Sequence, residues 1–431
     1  MADLRALTDT CVHCGFCLPA CPTYQLWGEE MDSPRGRIHL VRQIVDGGEM
    51  TAATAGHLDA CLGCLACVPA CPSGVRYDEI IEEARVLVEQ SGPRGLVDRA
   101  LRAAVFALFP YPRRMRAMRG PLRAAQRFGR VTTAVADRLH PALGAMATLS
   151  PPLKPLVALP ERVPAAPGGR PGPARAVVGL LTGCVQSAFF SHVSATTARV
   201  LSLEGCDVVI PHGQGCCGAL ARHAGREAQA RRQARRTIST FLKAGVDTIV
   251  TDVAGCGSVM KEYGRLLRDD ERLSARAAEL AAKVRDVTEV LVSLGEPLTT
   301  RHPLSVTVAY HDACHLAHGQ GVRSQPRELL RAIPGLTLVS VTDGEVCCGS
   351  AGVYNLLQPG AATDLGDRKA AALRATGADV VVAGNPGCLL QISAALRRVD
   401  GSPPAVMHTV ELLDASLRGV PVPRARPISS I

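Results

Sequence analysis

Residues 11–22 read CVHCGFCLPACP and residues 61–72 read CLGCLACVPACP, so one spacing, C-x2-C-x2-C-x3-C-P, occurs twice with every cysteine offset by 50 residues. No other feature limits the fold so tightly. Three cysteines on one tight loop reach three corners of an iron–sulfur cube, and in such paired runs the fourth cysteine of each serves the other cluster. The spacing assigns Cys11, Cys14, Cys17 and Cys71 to one [4Fe–4S] cluster, and Cys61, Cys64, Cys67 and Cys21 to a second. A proline after each fourth cysteine keeps the loop from continuing as regular helix. Two zinc sites, the competing reading, would favour paired C-x2-C knuckles separated by a longer spacer. His13 lies inside the first loop, where four thiolates already complete the set, and reads as a spacer that tunes potential.

Between the runs, SPRGRIHLVRQIVDGG predicts a helix with Ser33 as N-cap, Pro34 in the first turn and Gly47 as stop, and YDEIIEEARVLVEQSG predicts another. Residues 1–90 are therefore expected to form an α-helical ferredoxin domain. From 91 to 175 the character changes. Arg-rich amphipathic stretches broken by FPYP and GP give way to the Pro/Gly-rich PPLKPLVALPERVPAAPGGRPGPAR, which reads as an extended connector. The net charge of +9 is concentrated here: residues 91–175 hold 15 basic and 3 acidic side chains, against 6 and 13 in residues 1–90. With Tyr111 its single Tyr and no Trp, this stretch suits a docking surface or peripheral membrane contact, at Arg113, Arg114 and Arg116, better than nucleic acid, and a plain solvated face suits it at least as well. No apolar run approaches the roughly 18 residues of a membrane span, and the N-terminus lacks a secretory pattern. The expected location is cytoplasmic, where 17 cysteines point to metal rather than disulfides.

The remainder repeats itself. AVVGLL leads to Cys184, CDVVIP to Cys216 and Cys217, and DTIVTD to Cys256; LSVTVAY then leads to Cys314, LTLVSV to Cys347 and Cys348, and DVVVAG to Cys388. The shifts are 130 to 132 residues, and the tails DVTEVL and HTVELL correspond. The pattern predicts a duplicated α/β unit with mainly parallel sheets over 176–300 and 301–431, an α+β multidomain chain overall. Functional groups in such sheets gather beyond the strand carboxyl ends, so each quartet of cysteines should converge on one site. GQGCCG satisfies the dinucleotide fingerprint G-x-G-x-x-G, but its duplicate DGEVCCG keeps the cysteines and loses the middle glycine. Thiols are what the copies share. Cys206 faces Leu336 in the duplicate and reads as core. His311 and Asp312, just before Cys314, are read either as proton-handling groups or as residues that cap and hydrogen-bond the loop.

Taken together, the two cysteine runs and two CCG modules resemble the iron–sulfur subunit of bacterial glycolate oxidase, most specifically in CVHCGFCLPACPTYQLWGEEMDSPRGRIHLVRQ, CPSGVRYDEII, AGCGSVMKEYG and CCGSAGVYNL. Subunits of lactate-utilisation, anaerobic glycerol-3-phosphate dehydrogenase and heterodisulfide reductase complexes share the architecture. The resemblance implies an electron-relay subunit of a 2-hydroxy-acid dehydrogenase, peripheral on the cytoplasmic side of the inner membrane, taking electrons from FAD-binding partner subunits and passing them to a quinone or other acceptor. In the heterodisulfide reductase relative the motif ends in C-x-x-C and its cysteines hold noncubane clusters. Here Val259 and Gln391 stand at that last position, which leaves an additional iron–sulfur cluster, zinc or neither open at the CCG sites, along with direct thiol–disulfide or quinone chemistry there.

Overall fold

The computed structural model describes residues 2–399 and 402–423. Its N-terminal part is helical, as the spacing predicts. Ser33 caps the helix Pro34–Val45, its hydroxyl accepting from Gly36 N at 3.0 Å, and Gly47 follows at φ 99°. Helix Tyr77–Ser91 buries Ile80, Ile81, Ala84 and Val88 against Ile38, Val41 and Leu58.

The basic stretch forms five helices, Leu96–Leu108, Pro112–Ala117, Arg119–Arg127, Gly129–Leu139 and Pro141–Leu149. FPYP separates the first two, but Gly120–Pro121 opens the third rather than breaking it, because proline is tolerated in a first turn.

Two sheets follow. The first holds β1 (Arg162–Val163), β2 (Ala176–Leu180), β3 (Cys206–Val209), β4 (Thr248–Thr251) and β5 (Val284–Asp286), in the order β1-β3-β2-β4-β5. The second holds β6 (Val306–Tyr310), β7 (Leu336–Val339), β8 (Val380–Ala383) and β9 (Ala405–His408), in the order β7-β6-β8-β9. All pairings are parallel except β1 with β3. That edge strand comes from the stretch read as a connector; at two residues it carries no period for a sequence to show. β5 and β9 are short and lead straight into the corresponding tail helices.

The modules pack reciprocally. Helix Ser191–Leu203 of the first lies on Thr409–Arg418 of the second, and Ser324–Arg331 of the second lies on Val287–Ser293 of the first. One apolar core runs through both sheets, joining Val178, Leu180 and Val208 to Val308, Val381 and Ile392. This arrangement turns the cysteine loops of the two modules toward each other. Cys206 is fully buried at the start of β3, inside that core and away from both cysteine groups.

Candidate metal centres

Each N-terminal loop reverses using two residues at positive φ, and glycine trades places between them. The first uses His13 (54°) and Gly15 (87°), the second Gly63 (64°) and Leu65 (64°). His13 thus carries a left-handed backbone that costs it more than glycine, a more specific role than a spacer. A guanidinium lies over each loop: Arg35 Nη1 donates to His13 O at 3.0 Å, and Arg85 Nη2 to Cys61 O at 2.5 Å. A Cβ on Gly15 or Gly63 would come within 2.9 Å of these arginines.

Cys11, Cys14, Cys17 and Cys71 line one small cavity, which Cys67 also borders. Cys14 is exposed, flanked by the exposed apolar side chains of Val12 and Phe16. The second set is enclosed, with Cys21, Cys61, Cys64 and Cys67 all buried. Burial, and then Cys314 beside Cys64 and Cys64 beside Cys67, push the Cys64 and Cys67 thiols well above their ordinary values. Burial opposes ionisation of Cys61 too, but Arg37 and Arg85 outweigh it and hold that thiol low. Arg37 is itself buried, donating to Asp32 Oδ1 (3.0 Å), Thr23 Oγ1 (3.1 Å) and His57 O (2.7 Å). Gly63 N and Tyr77 Oη donate to Cys61 Sγ at 3.3 and 3.5 Å. Crowded buried thiols under fixed positive charge and N–H donors are a poor resting arrangement for protons and a good one for a metal core that displaces them. The donor sets fit iron–sulfur groups.

The CCG loops follow strands that flank the reversal of strand order, where open parallel sheets form their crevices. In the first module Cys184 Sγ and Cys216 Sγ are 3.5 Å apart, and Cys217 is drawn well below its ordinary pKa by Cys216 and Cys256. In the second, Cys314 Sγ and Cys347 Sγ are 3.9 Å apart, and Cys348 is drawn down by Cys347 and Cys388. Asn385 Nδ2 donates to Cys388 Sγ at 3.4 Å. Both quartets are buried, and both line a single cavity of about 1760 Å³. Its far wall is the helical basic stretch, through apolar side chains such as Met115, Leu122, Leu143 and Met146.

Two contacts tie these sites together. Leu62, Cys64 and Ala66 of the second N-terminal loop share one buried cluster with Cys314, Cys347 and Tyr354 of the second module. Between the modules, His315 Nε2 lies 3.1 Å from His223 Nε2, and its Nδ1 lies 3.6 Å from Cys314 Sγ.

The two readings of His311 and Asp312 fare differently from expectation. Asp312 is bound through both oxygens by Arg327, at 2.7 and 2.6 Å. His311 turns its ring to Cys348, whose thiol it helps to draw down, and meets no nitrogen or oxygen partner. Sequence reading passed over Arg37, Arg85 and the His223–His315 pair. For His315 a signal was present, a second histidine in HDACH directly after Cys314; the arginines act only through the tertiary fold.

The chain is similar to three known families of sequence. Residues 8–75 match a 4Fe–4S dicluster domain, 178–261 and 308–393 each match a cysteine-rich domain, and 97–150 match the linker region of the glycolate oxidase iron–sulfur subunit. A probable glycolate oxidase iron–sulfur subunit of Bacillus subtilis is 38% identical over 419 residues, 94% of this chain and 92% of that protein. The glycolate oxidase iron–sulfur subunit of Escherichia coli is 36% identical over 425 residues, 96% and 95% respectively. Lactate utilization protein A of Exiguobacterium is 30% identical over 241 residues, which is 98% of that protein but 56% of this chain.

Proposed function

The chain belongs to the glycolate oxidase iron–sulfur subunit family, and we propose on that footing that its thiol groups form one ordered path for electrons through the complex. It is the iron–sulfur, electron-transferring subunit of a glycolate oxidase, an oxidoreductase complex. The lactate-utilisation alternative is the weaker one, since that match leaves 44% of the chain, the complement of its 56%, unaccounted for. Bound iron–sulfur clusters accept and release electrons one at a time. Cys11, Cys14, Cys17 and Cys71 hold one and Cys21, Cys61, Cys64 and Cys67 the other, with the two CCG quartets as further iron–sulfur sites.

The observation that carries this reading is the cluster joining Cys64 to Cys314 and Cys347. It packs a buried ferredoxin-type set against a CCG set within one apolar cluster. The rest of the chain serves that path. Arg37 and Arg85 offset the negative charge of thiolates at the second set, and the module core excludes solvent.

The ends of the path differ in character. Exposed Val12 and Phe16 around Cys14 form an apolar docking face for a flavin-bearing partner subunit that oxidises the 2-hydroxy acid. The opposite end opens on the cavity walled by Met115, Leu122 and Leu143, which suits a lipophilic acceptor such as a quinone. No helix among the described residues is long and apolar enough to cross a membrane. Arg113, Arg114 and Arg116 are exposed beside that wall and would hold this face to anionic headgroups on the cytoplasmic side. Reversing their three charges should abolish co-sedimentation with anionic vesicles, and unchanged recovery refutes the contact.

Cys64→Ser in the assembled complex tests the path. Glycolate should still bleach the flavin, the chain should lose about 4 of its ferredoxin-type iron atoms, and onward reduction of a quinone analogue should fall at least tenfold. Undiminished quinone reduction rejects the reading.

A further inference from the structure

The two modules place their backbones alike at the end of the first strand. Leu181 N donates to Val250 O at 2.9 Å in one, and His311 N donates to Val382 O at 2.9 Å in the other. These residues are equivalent by the 130-residue shift, and each is only 1% exposed. Leucine at this position is ordinary core packing. Imidazole is not, because neither Nδ1 nor Nε2 of His311 finds a nitrogen or oxygen partner, and a buried ring that meets only sulfur needs a reason to be there.

The ring faces thiols. A ring nitrogen of His311 and the Sγ atoms of Cys348 and Cys388 all lie within 4.8 Å of one another, the one such grouping of metal-binding side chains among the described residues. The position that would supply a further thiol cannot serve in its place. Gln391 is occupied, donating from Nε2 to Ala362 O at 2.7 Å and accepting from Asn355 Nδ2 at 3.1 Å. The neighbouring carboxylate is occupied too, since Asp312 is locked to Arg327. Among the described residues, His311 is the histidine whose ring faces this pair of cysteines.

We propose that His311 is a ligand to iron at the second CCG site, together with Cys348 and Cys388. The duplicated modules are then chemically unequal: the first offers thiolates alone, the second a mixed imidazole–thiolate set. Neutral imidazole joins the four thiolates without adding negative charge, so it holds the potential of the metal above what a cysteine at the same position would give, as histidine ligation does where it replaces cysteine on an iron–sulfur cluster. This rests on the reading of the CCG quartets as iron sites, but not on the order of the electron path.

The experiment uses the full chain, purified anaerobically with ⁵⁷Fe, and pulsed EPR on material with and without ¹⁵N-histidine. The expected result is a strongly coupled nitrogen on one paramagnetic centre whose coupling changes with the isotope. His311→Leu, which installs the first module's residue, and His311→Cys, which supplies a further thiolate, should both remove that coupling. The cysteine variant should retain the iron and shift that centre to lower potential, and both should leave the ferredoxin-type signals intact. A coupling that survives both substitutions, or that disappears in His315→Phe instead, overturns the assignment. So does zinc in place of iron at this site, or a wild-type centre lost in Cys348→Ser that carries no nitrogen coupling. These outcomes are separate from the Cys64→Ser test, which reads transfer from flavin to acceptor.

Discussion

Arg85 shows how one residue can set the chemistry of a centre it does not ligate. Its guanidinium lies over the second N-terminal loop and, with Arg37, holds the Cys61 thiol low against the opposing effect of burial. A unit positive charge several ångströms from a redox group, at an effective dielectric near 20, is worth about 1–3 kcal/mol. For a one-electron couple that is on the order of 50–100 mV. Arg85→Gln should accordingly lower the potential of the buried centre by about that amount, read by EPR-monitored redox titration. Arg35 stands over the outer loop in the same way, but it is half-exposed and paired with Glu30 at 2.6 Å, so Arg35→Gln should shift its centre less, and less still at high salt. The cysteines behind this argument are legible from spacing alone, because a metal constrains sequence locally. The arginines are not, since Arg85 lies 24 residues from Cys61 and meets it only after the helix Tyr77–Ser91 has packed.

The duplicated tails show what an element keeps when its sequence drifts. Asp286 and His408 open equivalent helices, each with a reciprocal capping box closed by Glu289 or Glu411. Both satisfy helix N–H groups, with different chemistry. Burial raises the Asp286 carboxyl from 3.8 to about 7. The folded chain therefore binds this proton more tightly than the unfolded one, and stability contributed by Asp286 is full below the unfolded pKa and declines as pH rises through about 7. Asp286→Asn keeps an acceptor for Thr288 N and removes the titration. Melting temperature measured across that window should fall with pH more steeply in the wild type than in the variant, and parallel curves would refute the assignment. Strands and helices that are long and apolar are readable in advance, as with AVVGLL and the helix after Ser33. Strands β1, β5 and β9 escape because two to four residues carry no period, and only neighbouring strands give them their pairing.

At the scale of the whole molecule, the N-terminal helical part is fastened to the first module through Glu82. It is 7% exposed and bonds Arg222 Nε at 3.0 Å and Arg265 Nη2 at 2.8 Å. Beside this clamp, Gly225 at φ 74° meets the backbone of Arg85 so closely that an added Cβ would lie 2.1 Å from its carbonyl oxygen. Gly225→Ala should push the two parts apart, which would show as faster hydrogen exchange along residues 77–91 and slower electron delivery to the CCG sites, with iron content unchanged. Wild-type exchange along that helix would count against the interface. Such a contact cannot be read from sequence, where glycine after ALARHA looks like any helix stop. One consequence of this docking concerns time rather than energy. The cysteines of the buried N-terminal set end at Cys67, yet the residues that cover Cys64, from Cys314 to Leu365, are made more than 240 residues later. The expected consequence is an order of assembly: iron reaches the buried set before its cover closes, and of the two sets the one containing exposed Cys14 should be the easier to reload in the finished molecule.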